Sequence, residues 1–104
     1  MEKPMEQQIL AAAVGRSTGS RESRRLIRSG RIPAVVYGGG QDPVLLTLDS
    51  REFERFWRVT PSGERTVTLQ CDDGSRVKAT PVQVDRHPYR DFFRHVDFLR
   101  HTAA

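Results

Sequence analysis

IPAVVYGGGQDPVLLTL, Ile32 to Leu48, holds two apolar runs separated by turn residues. Ile32 to Tyr37 is rich in β-branched side chains and ends in Gly38-Gly39-Gly40. Such a run bounded by glycines reads as a strand. Gln41-Asp42-Pro43 prolongs the turn, and Val44 to Leu48 reads as the next strand. Pro33 blocks any helix arriving from upstream. The centre of the chain is therefore strand, turn, strand.

Downstream, Asp49 followed by Glu52 has the form of a capping box with Asp in the cap position. It opens a helix from Ser50 to about Val59. Phe53, Phe56 and Trp57 stand at i, i+3 and i+4 on one face, with Arg51, Glu54, Arg55 and Arg58 outside. Thr60-Pro61-Ser62-Gly63 stops it. Thr66 to Cys71 and Arg76 to Thr80 form a hairpin around Asp72-Asp73-Gly74-Ser75. Pro81 interrupts the second arm and requires a bulge or an edge position. The arm resumes as Val82 to Arg86, His87-Pro88-Tyr89 turns the chain, and Phe92 to Leu99 is the last strand.

Upstream lies the charge. Arg16 to Arg31, RSTGSRESRRLIRSGR, holds six arginines and one acid, a net +5 against +4 for the whole chain. The remaining residues together are thus slightly acidic. Ser20 is suited to cap a helix here, and Gly30 to follow it. Arg21, Arg24, Arg25 and Arg28 then share one helical face, opposite Ser23, Leu26 and Ile27. A guanidinium row in solvent above a small apolar anchor suits a polyanion. Gln8 to Val14 is a first strand, although Ala11, Ala12 and Ala13 also permit a helix. Residues 1–7 and 101–104 read as tails around one domain of residues 8–100.

At 104 residues with 37% hydrophobic composition, one small domain is expected. Strands outnumber crossover helices, which excludes parallel βαβ winding. The reading is six or seven strands and two helices, in a small, mostly antiparallel barrel or strongly bent sheet with the helices outside. A single cysteine, Cys71, excludes an internal disulfide and fits a reducing compartment. No apolar run reaches the length of a membrane span, and the start lacks the pattern of a signal peptide. A cytoplasmic protein is expected.

Val82, Val84, Val96 and Phe98 alternate with Gln83, Asp85, His87, His95 and Asp97. With the apolar set in the core, the polar set lies on one sheet surface. Groups of this kind read base edges, and the same pattern also describes a solvated face with a His–Asp hydrogen bond. Tyr37 is either a core aromatic with its hydroxyl at the surface or a residue that stacks on a base or sugar. His87, His95 and Asp97 lack the second cysteine or helical histidine spacing of a metal site. Gly38-Gly39-Gly40 lacks the Gly-Lys-Ser/Thr ending of a phosphate loop, and no Gly-x-Ser-x-Gly elbow occurs. No cofactor, metal or catalytic residue is expected.

Four motifs occur in order: Ser23-Arg24-Arg25-Leu26, Arg31-Ile32-Pro33-Ala34-Val35-Val36-Tyr37-Gly38, Arg86-His87-Pro88-Tyr89 and His95-Val96-Asp97-Phe98. Together they resemble the bacterial large-subunit ribosomal protein L-twenty-five family, which includes the general-stress (CTC) proteins. The resemblance spans residues 8 to 100. It implies a mostly β fold, a small closed six-stranded barrel with two flanking helices, in the single-domain form. It implies a non-catalytic, cytoplasmic constituent of the large ribosomal subunit that binds 5S rRNA at loop E, in a widened minor groove. The partners implied are 5S rRNA and large-subunit components, with no membrane and no small-molecule substrate, the free protein being a monomer.

By motif, Arg24 and Arg25 lie on the RNA-binding helix, Tyr37 beside it, and His95 and Asp97 on the RNA-facing sheet. Charge and pattern add Arg16, Arg21, Arg28, Arg31 and His87 to the expected RNA-binding set. The chain departs from the family's usual residues at Gly15, Ser20, Ile27 and Asp85, and helix phase makes Arg28 the replacement for the basic residue missing at Ile27. Two other functions fit the residues: a stress-linked protein-interaction module and a generic RNA-binding or chaperone protein.

Overall fold

A computed structural model describes residues 8–15 and 19–101. The elements in chain order are β1 (Gln8–Val14), α1 (Ser20–Arg28), β2 (Arg31–Gly38), β3 (Gln41–Asp49), α2 (Ser50–Val59), β4 (Val67–Cys71), β5 (Arg76–Arg86) and β6 (Phe93–Arg100). The six strands close into a barrel in the order β1-β3-β2-β6-β5-β4. Four pairings are antiparallel, while β2 with β6 and β1 with β4 are parallel. The mostly β barrel with two helices is the expected fold class.

The turn at the centre is tighter than its composition suggests. Gln41, Asp42 and Pro43 belong to β3, and only Gly39 and Gly40 lie outside the strands. Both have positive φ, 69° and 71°, the backbone that a two-residue hairpin turn demands and that glycine adopts freely. Pro43 lies near a register shift between β2 and β3, which accommodates a residue without an N–H.

The two arms expected after Gly74 are one strand, β5. It pairs first with β4, Val67 opposite Ala79, and then with β6, Val84 opposite Val96. Between Pro81 and Gln83 the register shifts. Val82 is the extra residue of that bulge and is 49% exposed. This corrects the expectation that Val82 joins Val84 in the core: the bulge at Pro81 breaks the alternation. A second shift, between Asp85 and Arg86, leaves Arg94 unopposed, so that Phe93 and Val96 are both buried.

Inside, Ile32, Ala34 and Val36 of β2 meet Leu46 and Leu48 of β3, Val67 and Leu69 of β4, and Phe98 of β6. Connectivity sends α1 along the outer wall, from the end of β1 to the start of β2. α2 follows β3 and crosses the end of the barrel where β2 and β6 begin. Phe53 of α2 is fully buried among Phe56, Trp57, Phe93 and Phe98, with ring centroids 5.1–6.4 Å away. Rings stacked, tilted or edge-on at such distances add to the burial of their area.

The helix ends depart from the expected caps in two details. Gly19, which has no side chain to offer, occupies the cap position of α1, and Ser20 is its first helical residue. At α2 the Asp49 carboxylate accepts from Arg51 N at 3.0 Å, as expected. Glu52, however, accepts from Ala11 N of β1 at 3.1 Å and so fastens the helix to the sheet. At the far end of α2, Arg65 lies 3.6 Å over the Trp57 ring and donates to Trp57 O and Thr60 O. Of the expected tails, residues 1–7 and 102–104 lie outside the described residues. His101 donates its N–H to Lys78 O and its ring Nε2 meets Thr80 Oγ1 at 2.6 Å.

Candidate nucleic-acid interface

The arginines of α1 divide as helix phase requires. Arg21, Arg24, Arg25 and Arg28 are exposed, whereas Ser23, Leu26 and Ile27 are half-buried. Arg28 therefore shares the solvent side with Arg24 and Arg25. Ser29 N donates to Arg25 O and Leu26 O, and Ser29 Oγ donates to Leu26 O at 2.8 Å. Gly30 follows in the C′ position with φ 85°, a conformation that costs other residues dearly. Arg25 and Arg28 in the last turn face the negative end of the helix dipole. Arg25 Nη1 also touches Glu22 Oε2 at 3.2 Å. That pair is exposed, contributes little to stability, and leaves Arg25 available to a phosphate.

Arg31 differs from the others. Its Nε and Nη2 donate to Thr47 Oγ1, and Nη2 also donates to Thr47 O, all at 2.9–3.2 Å. The guanidinium is thus held against β3, where it fastens the start of β2 beside the end of α1. Arg16 lies outside the described residues.

The polar sheet surface exists in registered pairs. Gln83 stands opposite Asp97, Asp85 opposite His95, and on the other side of β6, Val35 stands beside Asp97 and Tyr37 beside Leu99. His95 Nε2 and Asp97 Oδ1 are 2.6 Å apart, with side chains 36% and 24% exposed. Asp85 accepts from Arg94 Nη2 at 3.0 Å. A donor, acceptors and an exposed phenol thus share one wall with α1, which packs on β2.

His87 is at the end of that wall and serves the local turn. Its Nδ1 accepts from Tyr89 N at 3.1 Å and Arg90 N at 3.0 Å, and its ring packs 4.8 Å from Phe92. An Nδ1 that accepts two N–H groups places the ring proton on Nε2. The described residues contain no group of three His, Cys, Asp or Glu able to hold a metal. They contain no helix long and apolar enough to cross a membrane.

The sequence profile of the Ribosomal L25p family matches residues 11–98. The chain belongs to the ribosomal L25p family. Every exposed arginine of α1, both helices and the polar wall from Val35 to Asp97 lie inside the L25p match. Similar L25p proteins include those named "Large ribosomal subunit protein bL25" from Brucella canis, Brucella abortus and Brucella suis. Each is 35% identical over 99 residues, covering 94% of this chain and 47% of the relative. The chain thus spans about half the length of these curated L25p relatives.

The described wall adds residues to the expected set. Gln83 and Asp85, already expected on the polar surface from the alternation around Val84, stand opposite Asp97 and His95. Val35 and Leu99 join through the parallel pairing of β2 with β6, and no local signal announces a parallel pairing. Val82 is turned out by the bulge, for which Pro81 is the signal.

Proposed function

We propose that this chain is a non-catalytic, RNA-binding constituent of the large ribosomal subunit in the cytoplasm, seated on 5S rRNA at the loop E region. The observation that carries the reading is the arginine row of α1, exposed along one side and docked beside a wall bearing Gln83, Asp85, His95, Asp97 and Tyr37. Membership of the L25p family and the printed name of the Brucella relatives support the ribosomal assignment.

In this reading Arg21, Arg24, Arg25 and Arg28 supply phosphate contacts and most of the affinity, without reading sequence. The wall selects the site. Asp97 and Asp85 accept from exocyclic amines, Gln83 does both, and Tyr37 stacks or donates. An ordinary A-form major groove is too deep and narrow for side chains, so a distorted, widened helix such as loop E is the target that the wall fits. Asp85 faces a base amine or Arg94 rather than a phosphate, which would repel it. Arg31 and His87 position the surface.

A gel-shift titration with 5S rRNA and with a loop E-disrupted variant, at several salt concentrations, tests the reading. Arg24→Ala with Arg25→Ala is expected to weaken binding to both RNAs and to flatten the salt dependence. Asp97→Ala is expected to erode the preference for intact loop E by about 1–3 kcal/mol, the worth of a good base contact. Equal binding of the two RNAs by the unaltered protein would refute the loop E assignment.

A further inference from the structure

Arg51, Arg55 and Arg58 form a second basic row, on α2. They stand at i, i+4 and i+7, the same intervals as Arg21, Arg25 and Arg28 on α1. All three are exposed, while the other side of α2 buries Phe53 and Phe56. Among the described residues, no carboxylate lies within ion-pairing distance of any of the three. The nearby acids border the row without pairing to it: Glu52 is bonded to Ala11 N in a hollow that Arg55 also lines, and half-buried Glu54 lines another with Arg58, Arg86 and Asp91.

The two rows meet at a corner. Ser50 N donates to Gly30 O at 2.9 Å, joining the start of α2 to the end of α1. Arg28, Arg31 and Arg51 line one shallow hollow there. Asp49 also borders it, with its carboxylate capping Arg51 N. Each row rises about 10 Å along its helix, seven residues at 1.5 Å. α1 runs down the wall of the barrel and α2 crosses its end, so the rows face different directions. One straight RNA segment lying on the wall does not follow both.

A membrane surface is a poor partner for α2, because its apolar side is already spent in the core. Guanidinium groups match phosphate oxygens in forked geometry, and arginines outnumber lysines fifteen to two in this chain. We infer that Arg51, Arg55 and Arg58 bind the phosphates of a second RNA segment, separate from the one taken by α1 and the polar wall. This inference rests on the RNA-binding reading of α1.

The test is a triple variant, Arg51→Gln with Arg55→Gln and Arg58→Gln, compared with the unaltered chain and with Arg24→Ala/Arg25→Ala. Thermal melting first establishes that the triple variant folds; should it not, the single Arg55→Gln and Arg58→Gln variants replace it. Binding is then measured on a minimal loop E fragment, on full-length 5S rRNA and on naked large-subunit rRNA carrying 5S. The expected result is wild-type affinity for the fragment, but at least tenfold weaker binding to one of the longer RNAs. The log–log salt slope there should fall by about 2–3, near 0.9 per lost phosphate contact. The RNA on which the loss appears identifies the source of the second segment. Wild-type behaviour on all three RNAs would overturn the inference, as would an equal loss on the fragment, which would place α2 in the first site. Loss seen only with assembled subunits would assign the row to a ribosomal protein and overturn the RNA partner. If the Arg24→Ala/Arg25→Ala chain binds every RNA as the unaltered chain does, the reading of α1 fails, whatever the triple variant does.

Discussion

Thr60 follows α2 with its side chain buried, and among the described residues its Oγ1 has no hydrogen-bond partner. A buried hydroxyl without a partner costs the free energy of its lost hydration. Thr60→Val replaces that hydroxyl with a methyl group of similar shape. It is expected to raise stability by about 1 kcal/mol in urea denaturation; a loss of stability would show that the hydroxyl is satisfied after all. Asp73 shows the opposite situation on the surface. Its Oδ1 accepts from Ser75 Oγ at 2.6 Å and from Ser75 N at 3.0 Å. These bonds, the side-chain one first, hold its carboxyl below the usual 3.8. A depressed carboxyl stabilises the fold above its unfolded value, and that contribution fades as pH falls through the lower folded value. NMR titration of the Asp73 side chain is expected to show a midpoint below 3.8; a midpoint at or above it would mean the turn does not hold in solution.

α1 is held to the barrel by Leu26 and Ile27, neither fully buried, and a nine-residue helix is not stable alone. Replacing both by serine leaves every charge in place. RNA affinity is nevertheless expected to fall at least about tenfold, because the arginine row loses its fixed direction. Unchanged affinity in a gel-shift assay would mean that charge alone is sufficient. Both helices were legible in the sequence, because a 3.6-residue period marks the buried side whatever the rest of the fold does. The caps were half legible. Asp49 follows local chemistry, but Glu52 turns to Ala11, a partner that no spacing within the helix specifies. Likewise IPAVVY announces β2, yet Gln41-Asp42-Pro43 looks like turn and is strand, since pairing with β2 outweighs weak strand propensity. The polar wall was legible as alternation on β5 and β6. Tyr37 was expected beside α1, but its place next to the wall, like that of Val35, follows only from the parallel pairing to β6.

For the molecule as a whole, one aromatic centre carries much of the packing. Phe53 touches rings from α2 and β6 and fills the end of the barrel. Phe53→Ala is expected to cost about 3–5 kcal/mol, a large share of the roughly 5–15 kcal/mol that holds a small domain together. Urea titration should show a midpoint well below that of the unaltered chain; a loss under about 2 kcal/mol would mean that the cavity collapses. The sequence indicated a barrel or bent sheet but not how it closes, because closure joins Gln8 to Val67 and Ala34 to Val96, far apart along the chain. β6, the last of the described strands, is inserted between β2 and β5. During synthesis, therefore, the barrel stays open until Phe93 to Arg100 has left the exit tunnel. Two long strand edges wait unpaired until then, prone to join a neighbouring nascent chain. A released fragment ending before β6 should be digested by protease at β2 and β5, whereas one extended through Arg100 should be protected at both.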